Sequence, residues 1–219
     1  MIKLENVYYR YNINKEIFTD ISIDLQHGGF YFITGSSGAG KTTLLKLLST
    51  SFMPSKGQIF FSNKEIHSVP KNSLYFLKRR IGFVFQDFRL LSHLTTYENV
   101  ALPLKVQNKK ENEYKKDVIE LLKWVNLDDC IHSYPEHLSG GEQQRAAIAR
   151  AVIASPDIIL ADEPTGNVDN TNSKKILKLF QEMNKLGTTI IIATHDEKLL
   201  SSINARIIKI EDCRIKVSE

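Results

Sequence analysis

The residues able to do chemistry fall into two runs and a handful of single positions. Gly35-Ser36-Ser37-Gly38-Ala39-Gly40-Lys41-Thr42-Thr43 fits the pattern Gly, four residues, Gly-Lys-Ser/Thr. Its glycines carry no side chain, so the backbone can wrap closely around an anion. Successive N–H groups and the start of a following helix then point at phosphate oxygens. Lys41 would reach the β- and γ-phosphates, and the Thr42 hydroxyl would ligate Mg²⁺. The second run is Leu138-Ser139-Gly140-Gly141-Glu142-Gln143. Ser139 is placed as a helix N-cap, and two glycines at a helix start make a second anion site. The two sites are about a hundred residues apart, and nothing in the sequence makes them share one phosphate within one molecule.

The single positions stand at the ends of apolar runs. Gln86 follows Ile81-Gly82-Phe83-Val84-Phe85, Asp162 and Glu163 end Asp157–Ala161, and His195 follows Thr188–Ala193 and Thr194. In open α/β sheets the ligand lies beyond the carboxyl ends of the strands. There Gln86 could reach Mg²⁺ or the attacking water, though alone it is a weak signal. Asp162 would hold the Mg²⁺ shell, and Glu163 would orient or deprotonate water. The plainer alternative is a pair of strand-end acids capping the next turn. His195 in the same placement suits a γ-phosphate contact, against the commoner structural histidine. Tyr11 closes the row Tyr8, Tyr9, Tyr11. It could stack on a nucleotide base or be one more packed aromatic.

Elements must position these groups. Phe30–Ile33 reads as a buried strand leading into the first loop, and Thr43–Leu48 as the helix leaving it. Residues 2–11 and 17–25 alternate like half-buried antiparallel strands around a turn at Asn12-Ile13-Asn14-Lys15. Pro54, Lys56 and Gly57 break the chain before a strand at Gln58–Phe61 and a turn at Ser62–Glu65. Residues 73–79 suit a short helix. Helical periodicity dominates residues 87–135, clearest in Tyr114–Val125, which makes a helical insert within an α/β core; Trp124 reads as a packing residue. Residues 142–154 form a helix with an alanine-rich face, Thr165–Asp169 a polar turn, and residues 172–184 a helix. Strands at 205–210 and 213–217 close the chain.

Bulk properties restrict the function class. With 219 residues there is room for one sizeable core, and 42% hydrophobic with 25% charged residues is a globular balance. A net charge of +4 without a dense basic stripe argues against a nucleic-acid surface. Cys130 and Cys213 lack metal-ligand spacing and read as free thiols in a reducing compartment. No apolar run approaches a membrane span, and Met1–Glu5 has no signal-peptide core. The expectation is a soluble, cytoplasmic protein that meets a membrane only through a partner.

Taken together, the motifs resemble the nucleotide-binding subunits of the ATP-binding cassette family over essentially the whole chain. The carrying residues are the Gly35–Thr43 loop, Gln86, the Leu138–Gln143 signature, the Ile158–Glu163 strand, Asn167 to Asp169, and His195. The resemblance implies a P-loop NTPase, RecA-like α/β core with a mainly parallel sheet, an N-terminal antiparallel β subdomain, and a helical insert at about 87–153 in one domain over 1–219. It implies ATP and Mg²⁺ as ligands, with Glu163, Gln86 and His195 catalytic and Tyr11 stacked on the base. It also implies a head-to-tail homodimer, in which Ser139, Gly140, Gly141, Glu142, Gln143 and Asp169 bind nucleotide alongside the partner's phosphate loop. Ser36 departs from the proline common there, at a position where backbone matters more than side chain. Arg79–Leu91 and Tyr97–Pro103 are similar to the cell-division branch, the FtsE type. That branch implies an integral membrane partner of the FtsX type, attachment to the cytoplasmic face of the plasma membrane, and a motor that switches on cell-wall hydrolysis. The alternative is the ATPase of an exporter of the lipoprotein-release or macrolide-efflux type.

Overall fold

The structure, a computed structural model, describes residues 1–12, 15–166 and 168–218. In chain order the elements are β1 (Ile2–Asn12), β2 (Lys15–Leu25), β3 (Phe30–Thr34), α1 (Lys41–Leu48), β4 (Lys56–Phe61), β5 (Lys64–Glu65), α2 (Lys71–Lys78), β6 (Ile81–Val84), α3 (Thr96–Val106), α4 (Glu111–Trp124), α5 (Gly140–Val152), β7 (Ile158–Asp162), α6 (Asn170–Lys185), β8 (Thr189–Ala193), α7 (Glu197–Ser202), β9 (Arg206–Glu211) and β10 (Arg214–Ser218). They divide into two compact units, Met1–Lys78 with Thr189–Glu219, and Arg79–Thr188. The turn expected at Asn12–Lys15 has Ile13 and Asn14 outside the described residues.

The first unit holds two sheets. One is antiparallel, in the order β2-β1-β4-β5. Alternation in β1 and β2 puts Ile2, Leu4, Val7, Phe18, Ile21 and Leu25 in the core. The break expected at Gly57 is instead the start of β4. Its φ of 85° carries the strand past the Asn6 carbonyl, where an added Cβ would lie 2.2 Å from the oxygen. The expected turn at Ser62–Glu65 tightens to Ser62 and Asn63, both at positive φ, and β5 follows. In the other sheet β3 runs parallel to both β8 and β9, with β10 antiparallel at β9. All five residues of β8 are buried, as are Tyr31, Phe32 and Ile33 of β3, which is why both read as apolar runs rather than alternations.

In the second unit β6 and β7 pair in parallel, from Ile81 beside Ile158 to Val84 beside Ala161. Its helical core packs Val100, Leu104, Tyr114, Val118 and Leu122 with Ala146 and Ala149. The alanines of α5 let neighbouring elements approach closely, and Ala146, Ala147, Ala149 and Ala151 are all buried. Trp124 is 41% exposed at the end of α4, so it packs on one face only.

Candidate functional site

The first unit carries the phosphate loop. β3, hydrogen-bonded on both sides, delivers the chain to Gly35. Gly40 caps α1 with φ 110° and ψ 14° and makes no side-chain cap to the helix. A Cβ there would meet Ile17 Cγ2 at 2.9 Å and Phe18 Cζ at 3.0 Å, so the position excludes a side chain on both counts. At Gly38 the corresponding space is open for 4 Å. The Lys41 ammonium curls onto the loop itself, donating to the Gly35 carbonyl at 2.9 Å and the Ser36 carbonyl at 3.3 Å. A helix start without a side-chain cap, a lysine folded over it and a glycine-lined opening fit a polyphosphate. A cleft of about 470 Å³ opens beside the loop, lined by Gly35, Ser36, Gly38 and Ala39 together with residues 15–17 and 209–213.

Tyr11 is packed among aromatics and exposed at the same time. Its ring meets Tyr9 edge-on at 5.3 Å and Phe52 at 5.9 Å, yet the residue is 51% exposed. Its hydroxyl shares a 2.8 Å hydrogen bond with the buried Thr43 hydroxyl, tying the ring to the first turn of α1. In the same unit His195 is exposed just past β8. The preceding Thr194 is buried, its N–H donating to the Ile33 carbonyl at 3.0 Å and its hydroxyl accepting from the Asp196 N–H at 3.1 Å.

The second unit carries the remaining candidates. Gln86 is exposed two residues past β6. Asp162 is the last residue of β7 and is buried. Glu163 is half-buried with a φ of 48°, a left-handed backbone that costs a non-glycine residue about 1–3 kcal/mol. Among the described residues no cluster of three His, Cys, Asp or Glu side chains could hold a metal unaided. Mg²⁺ bound to a nucleotide needs no such cluster, since water and phosphate fill most of its shell and one or two protein oxygens suffice. The Thr42 hydroxyl, the Gln86 amide and the Asp162 carboxylate are donors of that kind.

Ser139 caps α5 in a reciprocal box. Its hydroxyl donates to Glu142 Oε2 at 2.6 Å, its N–H to the same oxygen at 2.8 Å, and the Glu142 N–H reaches back to Oγ at 3.4 Å. These bonds hold the Glu142 carboxyl below the usual carboxylate range, the Ser139 hydroxyl contributing most. Gln143 donates from Nε2 to the Leu138 carbonyl at 3.0 Å. Glu142 and Gln143 therefore shape the helix start, while Gly140 is exposed with open space where a Cβ would stand. Asp169 caps α6, accepting from the Thr171 and Asn172 N–H groups at 2.8 and 3.0 Å. Hydrogen bonds from Asn172, backbone first and side chain second, lower its pKa. Asn167 lies outside the described residues. Cys130 and Cys213 are free thiols; burial and then the Glu142 carboxylate push the Cys130 thiol up.

Two residues of structural weight carry no chemical motif and were missed in the sequence. Asn99 is fully buried in the first turn of α3, and Arg150 stands near the end of α5. A buried asparagine four residues after the cap Thr95, inside the run Tyr97–Pro103, was the available signal.

The sequence profile of the ABC transporter family matches residues 18–166. The chain is an ATP-binding cassette protein. It is 41% identical to the cell division ATP-binding protein FtsE of Bacillus subtilis over 97% of this chain and 93% of that one. For the protein of the same description in Escherichia coli K12 the identity is 42%, over 97% and 96%. For that of Streptococcus pneumoniae D39 it is 38%, over 98% and 94%. A solved cassette in a dimeric post-hydrolysis state bound to ADP and Pi superimposes with a TM-score of 0.93 at 34% identity, covering 100% of this chain and 98% of that one. The cassette therefore has the P-loop NTPase core with an antiparallel N-terminal sheet, binds nucleotide, and belongs to a family of ATP hydrolases. No helix among its described residues is long and apolar enough to cross a membrane.

Proposed function

We propose that this cassette is the ATP-hydrolysing subunit of a membrane-associated complex of the cell-division type. The observation that carries this is its 38–42% identity to FtsE proteins over nearly their full length. In this reading two copies pair head to tail on ATP and separate after hydrolysis, and the cycle moves an integral membrane partner of the FtsX type that controls cell-wall hydrolysis. The protein is then held at the cytoplasmic face of the membrane by that partner.

Each candidate residue has a task in this reading. The Gly35–Thr43 loop and Lys41 bind the phosphates, and Tyr11 stacks on the base. Thr42, Gln86 and Asp162 hold Mg²⁺, which when bound neutralises charge developing on the phosphate oxygens. Glu163 draws a proton from the attacking water, and His195 donates to the γ-phosphate. The exposed start of α5, with Ser139, Gly140 and Gly141, meets the γ-phosphate held by the opposing copy. Glu142, Gln143 and Asp169 keep the backbone around these contacts in shape.

The test is Glu163→Gln, which keeps size and hydrogen-bonding reach but removes the base. Hydrolysis should fall by about 10²- to 10⁴-fold with ATP binding retained. With ATP and Mg²⁺ the variant should elute from a sizing column as a dimer, and adding Ser139→Arg should return it to monomer. Hydrolysis at the wild-type rate would remove Glu163 as the base. A variant that stays monomeric even with its membrane partner would end the paired-copy reading. Co-purification with a membrane protein expressed from a neighbouring reading frame tests the assignment to cell division.

A further inference from the structure

Beyond the nucleotide contacts, the second unit contains a half-buried cation with no evident chemical task. Arg150 lies on α5 eleven residues after Ser139, about 16 Å along the helix axis. Its Nη1 donates to the Arg89 carbonyl at 2.5 Å and its Nη2 to the Phe88 carbonyl at 2.7 Å. Burial holds the pKa of its guanidinium below the usual value. Even half-burying a cation against neutral carbonyls costs more than packing the helix end with a Leu or Met would. What arginine adds is a planar fork that fixes two acceptors at once.

The segment it grips is strained and sits next to Gln86. Phe88 and Arg89 are consecutive non-glycine residues at φ 59° and 50°, a conformation that persists only where the surroundings impose it. The Phe88 N–H donates to the Phe85 carbonyl at 3.2 Å, and the Arg89 guanidinium lies 4.3 Å over the Phe85 ring. Arg89 Nε also donates to Asp87 Oδ1 at 3.1 Å. The same end of α5 touches the strand before the loop: a Cβ on Gly82 of β6 would stand 2.3 Å from the Ala151 carbonyl oxygen. Helix, strand end and loop therefore interlock through backbone as well as through the guanidinium.

We propose that Arg150 is a positioning residue for Gln86, so that the helix beginning at Ser139-Gly140-Gly141 and the loop bearing Gln86 move as one piece. Contact of the helix start with the opposing copy's nucleotide is then transmitted to the glutamine's place at the metal. This rests on the role given to Gln86 above.

The test uses the full chain with Arg150→Met, Arg150→Lys, Gln86→Ala and the double variant Gln86→Ala/Arg150→Met. ATP hydrolysis is measured against ATP and Mg²⁺ concentration, and amide hydrogen exchange is followed over residues 85–92. Arg150→Met should leave KM for ATP within about threefold and lower kcat by about 10- to 100-fold, the scale of a misplaced reacting group. It should also raise the Mg²⁺ needed for half-maximal rate and speed exchange at residues 87–91. Arg150→Lys, with one ammonium in place of the fork, should fall between. The double variant should be no slower than Gln86→Ala by more than about threefold, since residues acting as a unit are not additive. If Gln86→Ala is slow but Arg150→Met keeps the wild-type kcat, the positioning proposal is overturned while the role of Gln86 stands. Losses that multiply in the double variant overturn it too. If Gln86→Ala hydrolyses ATP normally, the role given to Gln86 is wrong, and the positioning proposal falls with it. Should Arg150→Met fail to fold, Arg150→Lys decides: wild-type kcat and exchange in that variant overturn the proposal.

Discussion

Asn99 should be worth more to this protein than any other single uncharged polar side chain in the helical core. Its Oδ1 accepts the Leu91 N–H at 2.8 Å. Its Nδ2 donates to the carbonyls of Leu91, Leu94 and Thr95 at 3.1, 3.0 and 3.1 Å. The Thr95 carbonyl also accepts the Asn99 N–H within the first turn of α3, so it stays satisfied without the side chain. The Leu91 carbonyl likewise keeps the Leu94 N–H at 3.1 Å, so Asn99→Ala leaves the Leu91 N–H and the Leu94 carbonyl short of a partner. At about 1–3 kcal/mol for each group left unmade, with part of the loss at these half-exposed positions recovered by water, destabilisation should be about 2 kcal/mol. For a chain of this size that lowers Tm by about 4–8 °C. Asn99→Asp separates the clamp from mere filling of space. It keeps the acceptor for Leu91 but turns the donor into a carboxylate oxygen facing three carbonyls, so it should be less stable than Asn99→Ala at neutral pH. Urea and thermal unfolding of the three proteins measure this directly. An Asn99→Ala loss under about 1 kcal/mol, or an Asp variant as stable as the Ala variant, would refute the clamp.

Lys41→Ala should abolish ATP turnover and weaken ATP binding without lowering Tm, because the ammonium, half-buried in a surface loop, bonds to carbonyls of that loop and not to the core; unchanged turnover in the purified variant would disprove the loop assignment. Glu142 has a folded-state pKa lowered below 4.5 by Ser139, so its contribution is present above that value and lost as pH falls through the folded pKa. Glu142→Gln should accordingly be less stable than wild type at pH 7 and converge with it in acid, as chemical denaturation across pH would show; a difference that does not shrink in acid contradicts the cap. Phe88 and Leu90 are half-buried, and Leu91 is 38% exposed. Changing Leu91 to a polar residue should therefore weaken capture of the membrane partner while sparing basal ATPase, and undiminished co-purification would count against a docking role.

Much of the nucleotide-binding chemistry was legible because it is local. A phosphate loop must follow a buried strand and open a helix, and both neighbours announce themselves as apolar runs. Ser139 was readable as a cap for the same reason. The sequence read Asp169 as part of a polar turn before a helix at 172–184, whereas it caps a helix that begins at Asn170. Helix starts read late because first-turn residues are polar and add nothing to the apolar period. The hidden part is non-local: Arg150 reaches carbonyls 61 and 62 residues earlier in the chain. Main-chain acceptors have no residue type, so no pattern of side chains marks them. Gly57 misled for a related reason. A glycine inside a strand resembles a break until the carbonyl it must clear, at Asn6, is known.

Trp124 is the single tryptophan of the chain, and it stands 41% exposed at the carboxyl end of α4. Excited selectively, it makes the unmodified protein its own optical gauge of one place in the second unit. Its half-wet setting leaves room for change in both directions. Emission would move to the blue if a partner covered that helix end and to the red if the end frayed. Titrations with nucleotide or with a membrane partner can thus be followed without dye or label, on the same sample whose hydrolysis is being timed.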